Sequence, residues 1–339
     1  MSIAMETSML ASVGRMLWRY LDAHRVDTDA LFKRCGLDPS LIQEPRTRYP
    51  FRRLCKAFVE ASLITGDENM GLELAKFYNP LDLNALGVTF LSSETLVKAF
   101  RRLVRYESVV NSNLMLSIAE SNGQIHLISE LPDAAAGNAL QIVEDARMAV
   151  LVDLCRLGLG SSLDPVEVAF THPEPKSTGN HFGVFRCPVV FCQPTSRMSF
   201  NITDAQQPFT AANRELAVSS DRILEGMIKD LNQSELINQV KRAIIDNLPS
   251  GTPSDEDIAR HLHVSSRTLQ RRLAENGTNF RTLVLQVRRG LAEKYIADKH
   301  MPLVEISYML GFSDTSSFSR AFKQWTGNSP TIFRNNLSS

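Results

Sequence analysis

The chain has 339 residues, 43% hydrophobic and 22% charged, with 37 basic residues matched by 37 acidic ones. That length accommodates two or three domains with sizeable cores, and the even charge balance excludes inferring a polyanion partner from net charge alone. Five cysteines (Cys35, Cys55, Cys155, Cys187 and Cys192), odd in number and without a Cys-x-x-Cys pair, argue against a disulfide framework or zinc ribbon and fit a reducing cytoplasm.

Met1 to Ser12 lacks a basic flank, apolar run and cleavage site, so no secretory signal is expected. Leu17, Tyr20, Leu21 and His24 fall at helical spacings, and a second run from Phe51 places Leu54, Phe58 and Ala61 on one face. After Tyr106 the period changes to two. Leu114, Leu116 and Ile118, then Ile125, Leu127 and Ser129, alternate with their neighbours around Asn122-Gly123, which predicts a β-hairpin. A helix follows from about Asn138 to Leu157 with Gly158 as its stop, and Asp145, Arg147 and Asp153 are assigned to its solvated side. The most apolar stretch, Met148 to Gly160, is interrupted by Asp153 and Arg156 and is too short to span a bilayer.

Short strands are expected at Val166 to Phe170, Val189 to Phe191 and Arg197 to Asn201, then a helix from Phe209 to Lys229. Residues 1–229 therefore read as an α+β domain, with 230–235 as a polar linker and 236–339 as a separate all-α domain. His181, Cys187 and Cys192 have ligand chemistry, but the cysteines flank an apolar strand where a thiol packs as a small hydrophobe, so no metal or cofactor is expected. Neither Gly-x-Ser-x-Gly nor a glycine-rich phosphate loop is present, which argues against an enzyme. Arg101, Arg102 and Arg105 suit an acidic effector or an exposed basic face.

From Glu235 onward 14 basic residues face 10 acidic ones, about +4, which leaves −4 for the remainder. Ile237, Val240, Ile244 and Leu248 form a core-facing stripe ended by Asn247, Pro249 and Gly251. Ser254 and Asp257 make a capping box, Ile258, Ala259 and Leu262 face inward, His263-Val264-Ser265 turns the chain, and Ser265 or Ser266 caps the next helix. With Leu269 and Leu273 buried, Arg267, Gln270, Arg271 and Ala274 point outward. Arg pairs with guanine and Gln with adenine in the major groove, although that face taken alone also reads as a solvated one.

A second unit repeats the pattern. Pro302 opens a helix with Leu303, Ile306 and Leu310, Gly311 ends it, and Ser313 or Asp314 starts another that buries Phe318, Phe322 and Trp325. Ser316, Ser317, Arg320 and Lys323 face outward, a set suited to bases and phosphates. A helix from Phe280 to Ala297 joins the units and spans about 27 Å at about 1.5 Å per residue. Two reading helices so joined can lie about 34 Å apart, one turn of B-DNA.

These residues resemble the DNA-binding domain of the AraC/XylS family of bacterial transcriptional regulators, over roughly Glu235 to Asn335. The match is carried by Ile258-Ala259, Ser266 through Arg271, Gly277 with Phe280, Ile306 through Asp314, Phe318 through Lys323, Gly327 through Pro330, and Phe333-Arg334. Ser307 and Leu273 stand where alanine and phenylalanine are frequent. The resemblance implies base readout by Arg267, Gln270, Arg271, Ser316, Ser317 and Arg320, with Ser266, Thr315 and Lys323 on phosphates. His181-Phe182, Cys187 through Phe191 and Ser199 through Asn201 resemble the N-terminal domain of a branch that includes ornithine-utilisation and virulence regulators. That likeness implies a cytoplasmic activator or repressor without enzymatic activity, working on double-stranded promoter DNA with RNA polymerase, governed by a small effector of amino-acid or fatty-acid class, and a homodimer on paired half-sites. Two other readings stay open for the N-terminal half: a dimerisation module without ligand, and an enzyme targeted to DNA.

Overall fold

The computed structural model describes residues 7–132, 139–298 and 300–336. The chain packs as two units divided between Lys229 and Asp230.

The first unit opens with β1 (Ser8–Leu10), α1 (Gly14–Ala23), α2 (Thr28–Arg34), β2 (Arg48–Pro50) and α3 (Phe51–Thr65). β1 and β2 pair antiparallel, and Leu17, Tyr20, Leu21, Leu54, Phe58 and Ala61 are buried as their spacing predicts. His24 caps the end of α1, where its ring packs on Tyr20. Then come α4 (Met70–Leu74), α5 (Ala85–Leu91) and α6 (Leu96–Val110), with Thr95 accepting from the Lys98 amide to cap α6.

The expected hairpin forms as β3 (Met115–Ser121) and β4 (Gln124–Glu130), with Ile118 opposite Leu127. Asn122 and Gly123 turn it with φ of 52° and 72°, the left-handed pair that matches strand twist. Ile125, Leu127 and Ser129 are buried, and their neighbours on β4 are not. The hairpin joins a five-stranded sheet in the order β3-β4-β7-β5-β6, where β5 is Glu167–Ala169, β6 Val189–Val190 and β7 Ser196–Asn201. Only the β5–β6 pair in it is parallel.

Across this sheet and the helical layer lies α7 (Ala139–Leu159); its expected start at Asn138 lies outside the described residues. Its Val143 and Ala146 join the core built on α1 and α3, while Met148, Leu151, Val152, Leu154 and Cys155 join the core of α6 and the sheet. With two cores to serve, α7 has little solvated side. Asp145 is 2% exposed and the Arg147 Nε and Nη2 are sealed from solvent, which corrects their assignment to an outer face; Asp153 is exposed as expected. Gly158 does not stop the helix. A Cβ there would come within 2.6 Å of the Phe209 ring, so the glycine admits that ring, and the break comes at Gly160, where φ is +109°.

After α8 (Gly179–Phe185) and α9 (Ile202–Ala205), α10 runs from Arg214 to Asn247. It starts later than Phe209 because Asn213 accepts from the Leu216 amide as a cap. Residues 230–235, the stretch expected as a linker, are helical and lie within α10.

The second unit is helical: α11 (Asp255–His261), α12 (Ser266–Glu275), α13 (Phe280–Ala297), α14 (Leu303–Met309), α15 (Thr315–Thr326) and α16 (Pro330–Asn336). Val240, Ile244, Ile258, Leu269, Leu273, Leu283 and Val287 form one core, and Ala292, Ile296, Ile306, Leu310, Phe318 and Phe322 another. The middle helix α13 feeds the first core from its start and the second from its end. No described helix is long and apolar enough to cross a membrane.

Candidate DNA interface and an apolar cavity

The two helix-turn-helix units repeat one hydrogen-bond pattern. In the first turn the amides of Leu262, His263 and Val264 donate to the carbonyls of Ile258, Arg260 and Ala259; in the second those of Leu310, Gly311 and Phe312 donate to Ile306, Tyr308 and Ser307. Each turn needs one left-handed residue, His263 with φ 56° and Gly311 with φ 70°. The second helix of each unit then starts at a side-chain cap. Ser265 accepts from the Thr268 amide and Asp314 from the Ser317 amide, which decides between the cap candidates that the sequence offers.

On α12, Leu269 and Leu273 are fully buried, and Arg267, Gln270, Arg271 and Ala274 are exposed. Gln270 donates to the Asp255 carboxylate, Ser266 Oγ donates to the same oxygen at 3.0 Å, and Arg271 pairs with Glu275 at 2.6 Å. The bond from Gln270 is the largest of several that hold the Asp255 carboxyl below its usual range. Exposed ion pairs of this kind are worth about 0.3–0.5 kcal/mol, so Glu275 holds Arg271 only weakly. Asp255 was legible only as a favourable charge at the start of α11; its grip on Gln270 spans 15 residues and has no sequence signal.

On α15, Ser316, Arg320 and Lys323 are exposed, and Thr315 and Ser317 are partly so. Arg320 Nη2 reaches Ser317 Oγ at 3.3 Å, and Ser317 Oγ donates to Asp314 at 2.8 Å. Phe318 and Phe322 are buried, and Trp325 is half-buried against Phe312. Ser307, the departure at an alanine-rich position, is fully buried and donates to the Val304 carbonyl at 2.7 Å, so its hydroxyl is satisfied inside its own helix.

In the first unit, two of the three arginines on α6 are engaged. Arg102 pairs with Asp221 at 3.1 Å and bonds Ser93, and Arg105 pairs with Glu225 at 2.8 Å. His181 does not join the two cysteines. Its Nε2 and that of His172 both meet Asp145 Oδ1, at 3.0 and 3.2 Å, with all three side chains buried. Cys192 is exposed and Cys187 buried, its thiol pushed up to about 11 by burial. The donor atoms of Asp145, His172 and His181 lie within 4.8 Å of one another. Sequence reading missed this cluster because His172 and His181 come from 27 and 36 residues downstream.

The same unit contains a largely apolar, partly open cavity of about 140 Å³. Met16, Phe58, Leu103, Val143, Leu151 and Leu154 contribute carbon walls, and Tyr78, Glu107 and Arg147 also line it. Burial raises Glu107 to about 7.

Residues 26–209 match the family model described as the arabinose-binding domain of AraC transcription regulator, N-terminal, and residues 258–336 match a helix-turn-helix domain model. The chain is 30% identical over 312 residues to the ornithine utilization regulator of Pseudomonas aeruginosa, covering 91% of each chain. It is 28% identical over 284 residues to the regulator VqsM of the same organism, covering 79% of this chain and 84% of that one. To VirS of Mycobacterium tuberculosis it is 25% identical over 331 residues, covering 94% of each.

Proposed function

This chain belongs to the AraC family of DNA-binding transcriptional regulators, and on that footing we propose that its first unit senses a small effector and thereby sets how the second unit grips its operator. Bases are read by Arg267, Gln270 and Arg271 from α12 and by Ser316, Ser317 and Arg320 from α15. Ser266, Thr315 and Lys323 take phosphates. The observation that carries this reading is the repeated turn geometry, which leaves a polar, basic face exposed on each of two capped helices. Arginine and glutamine at such a face offer bidentate bonds to guanine and adenine, each worth about 1–3 kcal/mol of discrimination.

Sensing is supported by the cavity of the first unit, because concave, mostly apolar spaces with a few polar groups are where small ligands bind. The name of the Pseudomonas relative makes ornithine one effector to try. Two protomers on paired half-sites, contact with RNA polymerase, activation of transcription and a cytoplasmic location complete the proposal. Selection of duplexes from a random pool by the full chain, followed by anisotropy titrations of the winners with and without metabolites, tests it. A chain that enriches no motif refutes the readers; a motif bound with the same affinity under every metabolite refutes the sensing.

A further inference from the structure

The cavity of the first unit holds chemistry that the protein itself leaves unspent. Its volume of about 140 Å³ is near that of an engineered apolar cavity of about 150 Å³ that admits benzene. Arg147 lines it, and its Nε and Nη2 are both buried without an acceptor. Guanidinium nitrogens sealed from water without an acceptor are costly. The acidic side chain acting on it is Glu144, on the same helix. That carboxylate already accepts from Thr171 and Ser196.

Two further groups on the cavity wall lack partners: the Tyr78 hydroxyl and Glu107 Oε2. Burial drives Glu107 toward its protonated form, which gains an O–H donor. Asp82 also lines the space, but Arg19 and the Asn79 amide engage its carboxylate. The wall therefore offers a fixed cation and hydroxyl-type donors set among carbon.

We propose that this cavity binds a small monocarboxylate with an apolar tail or ring, of about six to ten heavy atoms, its carboxylate on Arg147 and its carbon body among Met16, Phe58, Leu103 and Leu151. The assignment rests on the reading of the first unit as effector-sensing. The guanidinium supplies two parallel N–H bonds to a carboxylate, and water leaves an apolar wall when the tail enters. An added α-ammonium puts a second cation into the same space.

Calorimetry on the full-length chain with hexanoate, octanoate and benzoate, against hexanamide, hexanol and 2-aminohexanoate, tests this. The expected result is saturable one-site binding of at least one carboxylate, tenfold or more tighter than its amide and the amino acid, and weakened at least tenfold by Arg147→Met. That variant removes the two sealed nitrogens that lack acceptors; should it unfold, Leu103→Phe, which narrows the cavity and keeps Arg147, takes its place and is expected to weaken binding likewise. No binding of any carboxylate, equal binding by wild type and variant, or equal binding of amide or amino acid overturns the proposal. If another metabolite shifts operator affinity while the carboxylates do not bind, this site falls and effector sensing stands. If a carboxylate binds through Arg147 while operator affinity stays constant, the site stands and the sensing reading falls.

Discussion

Arg288 of α13 donates from Nε to the carbonyl oxygen of Leu310 at 2.9 Å, at the C-terminal end of the first helix of the second helix-turn-helix unit. Its Nη2 also reaches the Gly311 carbonyl at 3.0 Å and Thr252 Oγ1, and the guanidinium stands over the Phe312 ring, 4.6 Å from its centre. One side chain thus ties the segment before the first unit to the turn of the second. Those carbonyls have lost their helical partners, and a charged donor satisfies them from a helix that both cores share.

Arg288→Met keeps the aliphatic stem and strips the donors, so it is expected to destabilise the second unit by about 2–3 kcal/mol. Each unit holds one of the two tryptophans, Trp18 and Trp325. Urea unfolding in a Trp18→Phe background, read by Trp325 fluorescence, gives the number; a midpoint unchanged from the parent refutes the tie.

Base readers and phosphate contacts separate by salt and sequence. Arg271→Ala and Arg320→Ala are each expected to cost about 1–3 kcal/mol on the preferred duplex and to relax preference at one position. Lys323→Ala is expected to weaken all duplexes alike and to reduce the slope of log affinity against log salt by about 1. Anisotropy titrations over a salt series make the comparison, and an Arg271→Ala chain with unaltered affinity and preference removes that residue from the readers.

The matched turns make opposite demands on two substitutions. His263 holds φ 56° with a side chain, which costs about 1–2 kcal/mol for an L residue, so His263→Gly is expected to stabilise the unit by up to about 1 kcal/mol after the entropy lost by glycine. Gly311→Ala carries that conformational penalty and also brings its Cβ within 2.7 Å of the Leu248 carbonyl oxygen, so a loss of more than about 2 kcal/mol is expected. Thermal unfolding of both variants decides; a stable Gly311→Ala chain contradicts the close approach.

The second unit was legible nearly residue by residue, because its signals are local. Ser254 and Asp257 form the expected capping box, Leu269 and Leu273 the expected stripe, and Phe280–Ala297 the expected helix. The interior of the first unit was not. Asp145 and Arg147 sit on a helix buried by two cores, where the usual inference that charge faces water fails. What satisfies Asp145 arrives from His172 and His181, and what lines the cavity with Arg147 arrives from as far away as Met9. Those pairings are made by the fold at sequence separations that no periodicity reports. That residues 230–235 are helical was not legible either, because a polar helix and a linker share one composition.

The Asp145 cluster makes the first unit sensitive to pH with a sign set by its hydrogen bonds. His172 Nδ1 faces the Pro173 carbonyl at 2.9 Å while its Nε2 faces Asp145, an arrangement that wants a proton on both nitrogens. Burial is the largest single influence and opposes the charge, but the bond to Asp145, the attraction of Asp145 and Glu144 and the Pro173 carbonyl together outweigh it, so His172 titrates above its ordinary 6.5. Burial is the largest single influence on Asp145 and raises it, but the bonds and charge attraction of His172 and His181 together outweigh that and hold it below its ordinary 3.8. A raised histidine contributes stability that is complete below about 6.5 and fades as pH rises through its folded value; a lowered carboxyl contributes stability that is complete above about 3.8 and fades as pH falls through its folded value. The cluster is therefore expected to stabilise the first unit most between those two limits and to stabilise it less as pH climbs above about 6.5 through the folded value of His172. His172→Gln keeps a hydrogen-bonding side chain without the titration, and is expected to flatten that alkaline limb. Unfolding of the Trp325→Phe chain, read by Trp18 from pH 5 to 9, shows it, and a limb of equal slope in wild type and variant rules out His172 as its source.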